Sequence, residues 1–100
     1  MLVHSVYFYL KPEVTAEQRA DFRRQVATLA DISTVHGFYL GTPAPVPPRP
    51  IIDRTFDLSI TCIFKDVAAH DAYQVDPIHH AFIEKCRDLW ARVQIYDSQD

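Results

Sequence analysis

The chain has 100 residues, 48% of them apolar, with 10 Lys and Arg against 13 Asp and Glu for a formal net charge of −3. A domain this short buries only roughly 60–65% of the surface its unfolded chain exposes, so residues 1–100 are read as one small domain with a modest core that a second copy would extend. The basic residues are scattered, which gives no footprint for nucleic acid, and Cys62 and Cys86 form neither a CxxC nor a Cys/His pair, against a disulfide framework or zinc site.

Residues 2–10 alternate with strand period: Leu2, His4, Val6, Phe8 and Leu10 point one way, and Val3, Ser5, Tyr7 and Tyr9 the other. This apolar start has no basic leader and is too short to span a bilayer, so the expectation is a soluble, cytoplasmic protein with no membrane partner. Lys11-Pro12 ends the strand. Thr15-Ala16-Glu17-Gln18 has the form of a capping box, and Phe22, Val26, Leu29 and Ile32 follow at helical spacing, with Arg19, Arg23, Arg24 and Thr28 on a solvated side.

A second strand is expected over 34–40, closed by Gly41. Five prolines between Pro43 and Pro50 then fix φ and withhold their N–H groups, which makes 42–53 a stiff extended loop. From 55 to 64 the alternation predicts a third strand, with Phe56, Leu58, Ile60, Cys62 and Phe64 facing the core, and Asp57 is placed to pair with Arg54 at the loop's end. Asp66 caps a short helix to about Val75, Pro77 starts another to about Trp90, and 93–96 reads as the last strand. The order β-α-β-β-α-β is that of a ferredoxin-like α+β sandwich, a four-stranded antiparallel sheet with helices on one face. Its other face would carry Val3, Ser5, Tyr7, Tyr9, Ser59, Thr61 and Ile63, aromatic and uncharged for the most part. A second sheet would cover that face, so a homodimer through sheet-to-sheet packing is expected, giving a dimeric α/β barrel.

The chemistry concentrates between Tyr73 and Phe82. Ile78, Phe82, Ile83, Cys86, Leu89 and Trp90 define a buried stripe that His79 borders, whereas His80 groups with Glu84 and Arg87. With Asp76 as cap and Pro77 as first helical residue, His79 lies in a first turn, where the helix dipole disfavours an imidazolium. It is therefore expected to be neutral near pH 7, the form a general base requires. Tyr73 shares a helix side with Val67 and His70, and a phenol of pKa about 10 serves as an acid or hydrogen-bond donor at neutral pH. His4, on the inward face of the first strand, brings a third polar group into a largely apolar space, which is the general description of a small-molecule pocket. Taken singly, each of the three is equally a core or rim residue. His36 and His70 are left as structural or surface residues.

Tyr73, Pro77 and His79 give Tyr-x-x-x-Pro-x-His, and with the Val3-His4 strand, Val35-His36-Gly37-Phe38-Tyr39-Leu40-Gly41, Phe56-Asp57-Leu58 and Phe64-Lys65-Asp66 the chain resembles the stress-responsive A/B barrel domain (Dabb) family. The resemblance implies a small homodimer, and, from a plant polyketide cyclase in the family, aldol-type closure without metal or organic cofactor. Under it His79 would be the base, Tyr73 would orient or protonate the carbonyl oxygen, and His4 would support. Two positions depart from the pattern. Asp76 stands where the family commonly has His, and Leu58 where the cyclase carries a further histidine. The resemblance thus points to a cofactor-independent cyclase or isomerase acting on a small hydrophobic carbonyl ligand, with a non-catalytic stress-associated or small-ligand-binding homodimer as the other reading. A haem or metal protein is disfavoured, because the histidines show no recurring ligand spacing.

Overall fold

The computed structural model covers residues 1–100. Its elements are β1 (Leu2–Leu10), α1 (Ala16–Ala27), a single 3-10 turn (Thr28–Asp31), β2 (Gly37–Gly41), β3 (Leu58–Phe64), α2 (Val67–Gln74), α3 (Pro77–Cys86) and β4 (Trp90–Gln99). The four strands form one antiparallel sheet in the order β2-β3-β1-β4. This is the ferredoxin-like α+β sandwich expected from the element order. No helix is long and apolar enough to cross a membrane.

Local chemistry accounts for the helix starts. Thr15 accepts from the Gln18 backbone N–H at 3.1 Å while the Gln18 side chain accepts from the Thr15 N–H at 2.8 Å, so two orphan donors are satisfied reciprocally. Asp66 caps α2 by accepting from Ala69 N at 2.9 Å, and Asp76 caps α3 by accepting from Ile78 N at 2.8 Å, one residue before the proline that opens the helix.

The helices bury their apolar sides against one sheet face. Leu2, His4, Val6, Phe8 and Leu10 of β1 are all buried there, and Leu58, Ile60, Cys62 and Phe64 of β3 continue the layer. Phe22 from α1 meets Phe8, Phe82 and Trp90, with ring centroids 5.2, 6.1 and 6.4 Å away, which ties α1, α3 and the sheet into one aromatic cluster.

Several expected boundaries shift, each for a physical reason. β2 starts at Gly37 rather than residue 34, and the chain before it is tied instead by His36 N donating to Ile63 O at 2.8 Å. β3 begins only at Leu58, because residues 55–57 leave the ladder. Phe56 consequently turns to the outer face, its ring 5.0 Å from that of Tyr7, and not to the core. Asp57 does not pair with Arg54, whose guanidinium donates to Val46 O at 3.0 Å. Its carboxylate instead accepts from Arg19 at 2.7 Å and from the Leu10 backbone N–H at 2.7 Å. Arg19 is therefore not simply a solvated residue; it anchors α1 to the end of β1. Asp57→Ala should lower unfolding free energy by about 1–3 kcal/mol, the usual cost of losing hydrogen bonds to a charged group, measurable by urea denaturation.

The helix from Pro77 ends at Cys86, and β4 runs from Trp90 to Gln99, longer at both ends than the expected 93–96. Its register against β1 sets Asp97 opposite His4, Ile95 opposite Val6 and Val93 opposite Phe8. The Pro-rich segment packs on the outer sheet face, where Pro43, Val46, Ile52 and Arg54 wall a concavity with Tyr7, Tyr39 and Tyr96. It lies on that side and lines no part of the inner cavity.

Candidate functional site

Between the sheet and the helices lies a cavity of about 280 Å³, lined mainly by apolar side chains such as Phe8, Ile60, Phe82 and Trp90. Its polar lining consists of His4 from β1, Tyr73 and Gln74 from the end of α2, and His79 from the first turn of α3. The three sequence-predicted residues therefore meet around one space. The Tyr73 and His79 rings stand edge-on with centroids 4.9 Å apart, and the His4 and Tyr73 rings lie 5.8 Å apart.

Burial sets the charge state of the group. His79 is held below the ordinary histidine range first by desolvation, then by the neighbouring His80 and His4 imidazoles. His4 is lowered as well: desolvation outweighs the opposing pull of Asp97, whose carboxylate accepts from His4 Nδ1 at 2.5 Å. Because a carboxylate only accepts, that bond places the proton on Nδ1 and leaves His4 Nε2 with its lone pair. Tyr73, almost fully buried, is pushed above its ordinary value by desolvation and then by the neighbouring Cys62 thiol. It holds its proton at any physiological pH and is available as a hydrogen-bond donor. Burial pushes Cys62 up to about 11 and Cys86 to about 11, which leaves both thiols protonated and poor nucleophiles.

Two residues join the group that the sequence reading left outside it. His70 packs on His4 with ring centroids 5.0 Å apart, and its side chain is only 17% exposed. Its spacing from Tyr73 on one helix side was the available signal. Asp97 had none, since its link to His4 spans 93 positions and depends on strand register. His36 and His80 are exposed and stand apart from the cavity.

A ferredoxin-like sandwich with a largely apolar cavity, two histidines and a buried phenol on its wall defines the class: a small α+β pocket protein. The chain belongs to the stress-responsive A/B barrel domain family, whose model matches residues 2–100. No curated protein matches the sequence. Among solved structures, a protein from Arabidopsis thaliana is similar at 17% identity and a TM-score of 0.82, covering 100% of this chain and 95% of its own. A dimeric ferredoxin-like protein of unknown function from Thermobifida fusca matches at 17% identity and TM-score 0.79, over 99% of this chain and 90% of its own. A hydroxynitrile lyase from Passiflora edulis matches at 17% identity and TM-score 0.78, over 97% of this chain and 90% of its own.

Proposed function

We propose that this protein is a homodimeric proton-transfer enzyme, cyclase-like or isomerase-like, that acts on a small, largely apolar carbonyl compound and does its acid–base work with its own side chains. The observation that carries this reading is the meeting of His79 and Tyr73 on the wall of an apolar cavity of about 280 Å³, which suits a small ligand. A neutral His79 nitrogen takes the proton from the carbon next to the carbonyl, and the electron pair moves onto the carbonyl oxygen. Tyr73, its phenol kept protonated by burial, donates a hydrogen bond to that oxygen. His4, held by Asp97, supports the phenol and keeps a second lone pair beside the site. The His79 imidazolium then returns the proton, either to a different carbon of a conjugated enolate or to the alkoxide formed when the enolate carbon attacks a second carbonyl within the same molecule. The Passiflora lyase is an enzyme on this fold, and a reaction that makes a carbonyl compound from a hydroxynitrile lies within the same class of chemistry.

The test is a panel of small ketones and diketones incubated with the protein in D2O, with proton NMR following exchange at the carbon next to the carbonyl. Accelerated exchange for one or more compounds supports the reading. A compound that binds with no exchange and no product would instead make the protein a non-catalytic small-ligand-binding dimer.

For the homodimer, the supporting features are the outer-face tyrosines, Tyr39 at 69% and Tyr96 at 63% exposure, and the dimeric relative from Thermobifida. Two such faces packed together would remove these rings from water. The unfolding midpoint should rise with protein concentration, and Tyr96→Asp should abolish that dependence; a midpoint independent of concentration over two decades would refute the dimer.

A further inference from the structure

His4, which also lines the cavity, forms a cluster with His70 and Asp97 contributed by three separate elements, β1, α2 and β4. One ligand atom from each lies within 4.8 Å of the other two. We propose that this cluster is a binding site for a divalent transition-metal cation of the zinc class, held by two imidazoles and one carboxylate with a fourth position open. That ligand set, borderline nitrogen with one hard oxygen, is characteristic of zinc sites that keep an exchangeable position.

The surroundings of the three residues resemble the support a metal site needs. Asp71 lies 3.1 Å from His70 Nδ1, and since a carboxylate can only accept, it fixes the proton there and frees Nε2 for a cation. At present that lone pair faces the Gln74 side-chain amide nitrogen at 3.2 Å, a contact a cation would replace. The burial is graded, with side-chain exposures of 3% for His4, 17% for His70 and 43% for Asp97. An ion would therefore enter from the Asp97 side and bind against a rigid floor. For His4 and Asp97 to share one ion, the cation takes the place of the proton between His4 Nδ1 and Asp97; because tetrahedral zinc sets its ligand atoms about 3.4 Å apart, closure needs movements on the order of 1 Å. Asp97, an exposed residue on the edge strand β4, has the freedom to make them.

The histidines offer no recurring ligand spacing along the chain, which is why sequence alone gives no hint of the site. The β1–β4 register brings Asp97 to His4, and the cap at Asp66 sets α2 so that His70 falls over both. The cluster shares His4 and Asp97 with the proposed reaction, but His79 is not a ligand and occupancy is read without any substrate, so failure of the metal site and failure of the reaction are distinguishable.

The experiment titrates the purified full chain with Co²⁺, read by visible absorption, and with Zn²⁺, read by calorimetry. Saturable binding of one cation per chain with tetrahedral cobalt bands is expected. His70→Ala and Asp97→Asn should each weaken binding by about 10-fold or more, while His80→Ala, on the exposed side of α3, should bind as the wild type does. Circular dichroism on each variant separates loss of the site from loss of fold. Absence of saturable binding to the folded wild type would overturn the proposal, as would binding that survives both folded variants unchanged, or cobalt bands with thiolate character from Cys62 or Cys86.

Discussion

Replacing His79 with alanine should lower turnover of a carbonyl substrate by about 10²- to 10⁴-fold, the contribution expected of a positioned general base, while the protein stays folded. The ring is only half-buried and makes no hydrogen bond on which the fold depends, so its removal enlarges the cavity without breaking the aromatic core. The pH profile provides a second reading of the same residue. Burial lowers the His79 pKa from the ordinary histidine value of 6.5, and the base works only when neutral. Activity should therefore be full at pH 7 and fall only as the pH drops through the lowered value, below 6.5. The acid limb of kcat/KM should report that fall and vanish in the residual activity of the His79→Ala variant. A variant that turns over at the wild-type rate would remove His79 from the mechanism.

The largest stability effect is expected at Phe22. Its side chain is 1% exposed and is the contact through which α1 meets Phe8 of the sheet, Phe82 of α3 and Trp90 of β4. Truncation to alanine should cost about 3–5 kcal/mol, transfer and cavity terms together. A domain of this length is stable by only about 5–15 kcal/mol. The loss should lower the unfolding midpoint by more than about 10 °C. Phe22→Leu, which keeps most of the volume, should cost less than half as much. A cost below about 1 kcal/mol for Phe22→Ala would mean that neighbouring rings collapse into the space, so that the three-element junction does not depend on this side chain. Urea denaturation monitored by the single tryptophan, Trp90, would measure it directly.

Most of the architecture was legible because its signals are local. The alternation in β1 and β3, the capping box at Thr15, the caps at Asp66 and Asp76 and the proline at 77 each act within a few residues, and each has its expected structural counterpart. Pattern failed where two periods overlap or where pairing is distant. Trp90 follows Cys86 at helical spacing, so it reads as the end of α3; in three dimensions it opens β4 opposite Leu10. Phe56 continues the alternation of β3 by count, yet Asp57 is drawn to Arg19 and Leu10, and the chain before Leu58 no longer follows the pleat. Of the site, His4, Tyr73 and His79 could be gathered in advance because strand and helix periodicity placed them inward. Asp97 could not, because only the antiparallel register reveals what stands across from His4.

The cavity and the tyrosine-rich surface occupy opposite sides of the same sheet, with the helices closing the first and the proline segment flanking the second. The residues that line the cavity and those that wall the outer concavity do not overlap. Pairing through the outer face would then stabilise the proposed enzyme and leave the cavity's lining unchanged. Two such sites should fill independently, giving hyperbolic saturation with a Hill coefficient of about 1, and a folded monomeric variant should keep its turnover per chain while losing heat tolerance.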